Sequence, residues 1–164
     1  PIALVEAAKA NATKKLATGT VELANGDSIG SVYKMCRIPS NAYVRRVLLY
    51  CDAITTCAAD IGIYYAQPTR LGGPISTATS TLVVVPSSVA LFASAQSLAA
   101  ALVVGTDVTY EATATNIDKM ETALWALAGL TVDPFVDFDV CLTLTAAAAS
   151  AGTVSLMVEY TDNR

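Results

Sequence analysis

Residues 135–160 read FVDFDVCLTLTAAAASAGTVSLMVEY, and this stretch decides the fold. Two runs of period-two alternation flank a connector of small residues. Even-numbered positions are apolar in both runs: Phe138, Val140, Leu142 and Leu144 before the connector, then Val154, Leu156, Val158 and Tyr160 after it. The odd positions include Asp137, Asp139, Thr143, Ser155 and Glu159, which water can satisfy. Successive strand side chains point to opposite faces, so the parity predicts two strands with a dry and a wet side. With a turn near residue 149 they form an antiparallel hairpin pairing Leu142 with Leu156 and Val140 with Val158. A one-residue slip would bury the carboxylates, so the register is strongly specified.

The same pattern extends upstream. Thr18 to Ala24 (TGTVELA) alternates, meets the turn signal Asn25-Gly26-Asp27, and is followed by a second strand from Ser28 to Ile38. Tyr43 to Cys51 and Cys57 to Tyr65 make a further expected hairpin, with Val47 opposite Ile61, Leu49 opposite Ala59 and Cys51 facing Cys57. That register sets Arg46 diagonal to Asp60 on the other face. A disulfide between Cys51 and Cys57 is geometrically conceivable, but without export signals reduced packing thiols are the preferred reading. Four cysteines without CxxC spacing and no histidine to complete a zinc set argue against a metal site of that kind.

Between the hairpins the text changes. Residues 66–80 (AQPTRLGGPISTATS) form the longest expected loop, rich in Pro, Gly and hydroxyls. Thr81 to Val85 reads as a short strand ended by Pro86. Ser87 or Ser88 then caps an expected helix with Leu91, Ala95, Leu98 and Leu102 on one face, and Thr106 to Ala114 returns to strand character. A second expected helix runs from Asn116, with Ile117, Met120, Leu124 and Leu127 as its stripe and Gly129 as its stop. Trp125 lies off that stripe. Residues 1–16 read as an N-terminal arm and 17–164 as a single domain. The expected fold is all-β, an antiparallel sandwich of jelly-roll-like type with one or two short helices.

The 164-residue chain is 54% hydrophobic and 15% charged, with net charge −4. The apolar excess, mostly alanine and valine, suggests tight sheets and either surface buried against other subunits or simply an alanine-rich monomer. The acidic balance argues against nucleic acid, which needs clustered Lys and Arg. The most apolar window, 89–104, is broken by Ser94, Gln96 and Ser97, so a membrane span is not expected. Glu6 and Lys9 interrupt PIALVEAAKA, which lacks the pattern of a secretory signal.

Chemistry has little to stand on. There is no histidine for a triad and no nucleotide-binding glycine motif. Asp133, Asp137 and Asp139 are the nearest approach to a carboxylate cluster, able in principle to hold calcium or act as acid and base; the solvated face of a strand is the simpler reading. Tyr43, Tyr50, Tyr64 and Tyr65 offer aromatics for a carbohydrate-binding sandwich, with Tyr50 and Tyr64 on one expected face. No catalytic residue and no cofactor is expected.

Three segments carry a resemblance: GDSIGSVYKMCRIPSNAYVRRVLLYCDAITTCAADIGIYY (26–65), KMETALWALAGL (119–130) and DPFVDFDVCLTLTAAAASAGTVSLMVEYTDN (133–163). They look like virion structural proteins of tailed bacteriophages, most closely capsid decoration or cement proteins. The resemblance implies a non-enzymatic protein on the capsid surface, made in the host cytoplasm. Its partner would be the major capsid protein of the mature icosahedral head, stabilised by bridging capsomers, with the protein itself a homo-oligomer, trimer or dimer. It implies no nucleic acid, membrane or small-molecule substrate. A tail or baseplate component and a carbohydrate-binding module are the alternatives. No motif transfers site residues from the family. From the residues themselves, the candidate subunit contacts are Ile2, Leu4 and Val5 in the arm, Arg70, Leu71 and Pro74 in the long loop, and Trp125.

Overall fold

The computed structural model describes residues 13–66, 89–112 and 115–162. They form eight strands: β1 Lys14–Leu23, β2 Val32–Pro39, β3 Tyr43–Cys51, β4 Ala58–Tyr65, β5 Ala93–Ser97, β6 Leu102–Asp107, β7 Asp137–Ala146 and β8 Gly152–Thr161. Two four-stranded antiparallel sheets result, ordered β1-β8-β3-β6 and β2-β7-β4-β5. The order has a simple origin. The chain doubles back so that β1 pairs β8, β2 pairs β7, β3 pairs β6 and β4 pairs β5. Winding that strip on itself adds the contacts of β3 with β8 and of β4 with β7. The expected jelly-roll-like sandwich is therefore present.

The expected hairpins are not. β7 and β8 lie in opposite sheets, as do β1 and β2, and β3 and β4. Alternation was informative about burial: Phe138, Val140, Leu142, Val154, Leu156 and Val158 all sit in one core with Val47, Leu49, Ile61 and Ile63. The β7 and β8 residues lie in opposite sheets and face one another across the sandwich, while within the sheets Val158 and Leu156 sit beside Val47 and Leu49, and Val140 and Leu142 beside Ile63 and Ile61. Period-two patterning reports which face is dry and is silent about which strand lies alongside. The five residues 147–151 between β7 and β8 easily span the roughly 10 Å between packed sheets. Gly26 does turn the chain, at φ +94°, but its N–H is donated to the Ala148 carbonyl at 2.8 Å, in another connector.

Gly19 and a bulge in β2 close one side of the sandwich. A Cβ on Gly19 would stand 1.8 Å from the Met35 carbonyl oxygen, so the β1 and β2 backbones approach to a distance only glycine allows. The register of β2 slips between Lys34 and Cys36, and Met35 turns into the core.

Both expected helices are corrected. Residues 93–107 are two strands, and Ala95, placed on the helical stripe, is an exposed bulge residue at φ +48° beside the shift in β4 pairing. Of the strand expected over 106–114, Thr106 and Asp107 form the end of β6 and residues 108–112 belong to no strand; 113 and 114 lie outside the described residues. The segment from Asn116 makes a 3-10 turn at Ile117–Lys119 and one α-helical turn, α1, Leu124–Leu127. A continuous helix fails because the Leu124 and Trp125 N–H groups are donated to the Ala42 and Ser40 carbonyls, at 2.8 and 2.9 Å, instead of back along a helix. Gly129, at φ +80°, follows α1 as the expected stop. The expected arm through Ala12, most of the long loop, the Thr81–Val85 strand and the Ser87 or Ser88 cap lie outside the described residues; Lys14 to Leu16 already belong to β1.

Candidate interaction surface

The wet parity is divided between two outer faces. Asp137, Asp139 and Thr143 face out from β7 in one sheet, and Ser155 and Glu159 face out from β8 in the other, so the carboxylates do not form one cluster. Glu159 pairs with Lys14 at 2.6 Å, and Ser155 shares a 2.8 Å hydrogen bond with Thr20. Asp139 departs from the expectation of a water-satisfied carboxylate. It is only 3% exposed and accepts from Lys34 Nζ at 2.7 Å and from Arg37 Nε at 2.7 Å. In a regular strand residues 34 and 37 point to opposite faces; the bulge between them turns both toward Asp139. The set is a clamp on the outer sheet surface, with every charge answered.

Other expected pairings also change. Arg46 bonds Asp107 at 3.1 Å, while Asp60 accepts the Ala95 N–H at 2.7 Å. Tyr50 and Tyr64 stand on opposite outer faces, which removes the shared aromatic platform. Tyr64 is buried with its hydroxyl on Thr143, and Tyr65 packs against Phe138 with ring centroids 5.3 Å apart. All four cysteines are free thiols. Burial, then the Asp139 charge, pushes Cys36 and Cys141 up to about 12, and burial raises Cys51 and Cys57. Thiols so shifted hold their protons and are poor nucleophiles.

The two ends of the sandwich differ in kind. At one, the connectors 24–31, 52–57, 98–101 and 147–151 are stitched together. Ala148 N–H bonds the Asp27 carbonyl, Ala149 N–H the Thr55 carbonyl, Ile54 N–H the Leu98 carbonyl, and Thr55 N–H the Ser150 hydroxyl. The Asp27 carboxylate accepts the Ala24 N–H and the Tyr33 hydroxyl; burial and this carboxylate raise the Tyr33 phenol above its ordinary value.

At the other end, the segment between β6 and β7 crosses the mouth of the sandwich and anchors on the short turn after β2. Ser40 is fully buried; its N–H bonds the Val136 carbonyl at 2.8 Å and its hydroxyl bonds Asp133. Asp133 also accepts the Phe135 N–H at 2.9 Å. Over this anchored base the segment displays apolar side chains: Phe135 is 82% exposed, Ile117 75% and Val132 71%, with Met120 and Val136 also exposed. Phe135 holds φ +54°, in the left-handed region that a bulky side chain rarely adopts.

Of the candidate contacts named from sequence, Trp125 is at this end, half-buried and packed against the core of its own chain. Ile2, Leu4, Val5, Arg70, Leu71 and Pro74 lie outside the described residues. The described chain nevertheless starts β1 at Lys14, opposite Thr161, and leaves β4 toward Ala66, whose N–H bonds the Asp137 carbonyl. Both points are at the apolar end. Sequence reasoning missed Phe135, although one signal was present: it carries the odd parity of Asp137 and Asp139, an aromatic on the wet count.

No protein-family model matches the chain, and no curated protein matches its sequence significantly. Two solved structures resemble it in fold. A chain of the "Cyanophage Pam1 capsid asymmetric unit" superposes with TM-score 0.55 at 18% identity, covering 92% of this chain and 85% of that one. A chain of the "Capsid of Ralstonia phage GP4" gives TM-score 0.53 at 17% identity, covering 92% and 84%. At this identity the likeness is one of fold, and it spans nearly the whole sandwich.

Proposed function

We propose that this chain is a non-enzymatic decoration or cement protein of a tailed-phage head. In this reading it binds the major capsid protein on the outer surface of the mature shell and bridges neighbouring capsomers. The observation that carries the reading is the near-full-length fold likeness to two chains that occur in phage capsids. The surface adds to it. Among the described residues, Ile117, Met120, Val132, Phe135 and Val136 expose apolar side chains within one segment at one end of the sandwich, while Leu16 on β1, Ile29 at the other end and Val103 and Val104 on β6 are exposed elsewhere; the cluster in the segment suits a contact with a protein neighbour. Trp125 belongs to that end, where β1 begins and β4 ends; Trp125 and, from outside the described residues, Ile2, Leu4, Val5, Arg70, Leu71 and Pro74 are the proposed contacts with neighbouring chains, and the protein itself is proposed to be a trimer or dimer.

Reinforcement needs no reaction. A ligand that binds the assembled lattice and not its dissociated subunits stabilises the lattice by mass action. Several weak contacts on one rigid domain then add through effective concentration. The test uses purified protein and expanded empty shells of the phage that carries it. Binding should raise the shell disruption temperature. An unchanged temperature at saturating protein contradicts the reading.

A further inference from the structure

We propose that the Phe135 segment is a preformed knob for an apolar socket rimmed by lysines or arginines on a different protein. This rests on the shell-binding reading and deepens it by naming the chemistry of the partner's surface.

Three observations point there. The first is preorganisation. Phe135 is 82% exposed at φ +54°, and Asp133 holds its N–H while buried Ser40 fixes both Asp133 and Val136. A strained conformation on an exposed aromatic persists only where its surroundings over-determine it. The backbone that presents the ring is thus fixed before a partner arrives, and only the ring's own rotation remains to be ordered on binding. The second is anatomy. Ile117, Met120, Val132 and Val136 expose lesser apolar surface in the same segment, and a central aromatic among weaker apolar contacts is how interface energy is usually concentrated.

The third is charge. The segment carries Glu111, Asp118, Glu121 and Asp133 against Lys119 alone, which lies 3.6 Å from Asp118. Asp133 is bonded to neutral donors, a hydroxyl and an amide, so its charge is not cancelled there. Arg45 on β3 donates to the Met120 carbonyl at 3.3 Å and, bound to a neutral acceptor, keeps its charge, so among these residues the acids still outnumber the cations. Lys14 and Lys15 pair with Glu159 and Asp162. Two copies meeting through this end would bring acid against acid, in a chain whose net charge is already −4. Complementarity therefore selects a basic rim on another protein over a second copy of this chain.

The test measures binding to purified empty shells for the wild-type protein, Phe135→Ala and the double variant Asp118→Lys/Glu121→Lys, with folding of each checked by its melting curve. Wild type should bind, more weakly as salt rises. Phe135→Ala should bind roughly tenfold weaker or worse, as truncated anchors do, and the double variant should also lose affinity. Wild type that fails to bind overturns the shell reading, and the socket with it. Wild type that binds while Phe135→Ala binds equally overturns the knob alone. Sedimentation of the isolated protein supplies the remaining outcome: an oligomer that Phe135→Ala dissociates would assign the socket to a second copy and overturn the proposal.

Discussion

The two ends of the sandwich are built from different materials for different purposes. The stitched end uses short connectors whose backbone groups bond one another across four loops, with Ile54 and Leu98 buried beneath them and Ile29 exposed. The apolar end uses one long segment, pinned at Ser40 and Asp133, to hold large side chains out in water. Burial of backbone donors favours the first arrangement for stability alone. The second keeps Ile117, Val132 and Phe135 exposed, a cost that folding does not require and that a partner would relieve.

Substitutions should separate the two ends cleanly. The largest effect is expected at the stitched end. Ile54 is fully buried, touching the space beside Gly152, and bonds the Leu98 carbonyl. Ile54→Ala should cost about 2–5 kcal/mol in chemical denaturation, through lost burial and the cavity left behind. A cost below about 1 kcal/mol would mean that this end does not act as the structural closure.

The clamp on the outer face, which belongs to neither end, comes next. Asp139→Ala leaves Lys34 and Arg37 without their carboxylate. Because both cations keep contact with water, 31% and 43% exposed, the cost should be about 1–3 kcal/mol, short of the value for a fully buried pair. Denaturation of the variant checks it, and no change would remove the clamp from the account.

A smaller effect should appear at alkaline pH. Cys36 and Cys141 hold their protons up to about 12 in the folded chain, against an ordinary value of 9.0. Their raised values favour folding below pH 9 in full, and the contribution is lost as pH rises from 9 toward 12. The melting temperature should fall across that window, and the fall should be shallower in Cys36→Ala/Cys141→Ala. Equal slopes in the two proteins would contradict the burial of these thiols.

The smallest stability effect belongs to the apolar end. Phe135→Ala should change stability by no more than about 0.5 kcal/mol, since the ring buries little within its own chain. A loss above about 2 kcal/mol would show that the ring belongs to the domain's own packing, and the contrast between the ends would collapse.

How much of this was legible follows from what a sequence encodes locally. Parity in 135–160 identified the buried faces of β7 and β8 and made a two-faced antiparallel sandwich readable. It misled about neighbours, because Leu142 and Leu156 look identical whether they pair within a sheet or meet across a core. The helical stripe at Ile117, Met120, Leu124 and Leu127 was equally ambiguous. Tertiary hydrogen bonds from Leu124 and Trp125 to the turn at Ser40 and Ala42 decided it, and no local pattern reveals them. The clamp on Asp139 depends on a bulge that moves Lys34 and Arg37 to one face, which strict alternation cannot foresee. The candidate surface was only half legible. Trp125 was noticed for lying off a stripe, whereas the exposed ring of Phe135 required the backbone conformation to be known.

The most direct measurement is a reconstruction of the intact phage particle with this chain located. The account predicts the sandwich on the outside of the head, its apolar end with Ile117, Val132 and Phe135 against the shell and the stitched end with Ala148 and Ser150 toward solvent. A chain found in the tail, or seated on the shell by its stitched end with Phe135 in solvent, would contradict it.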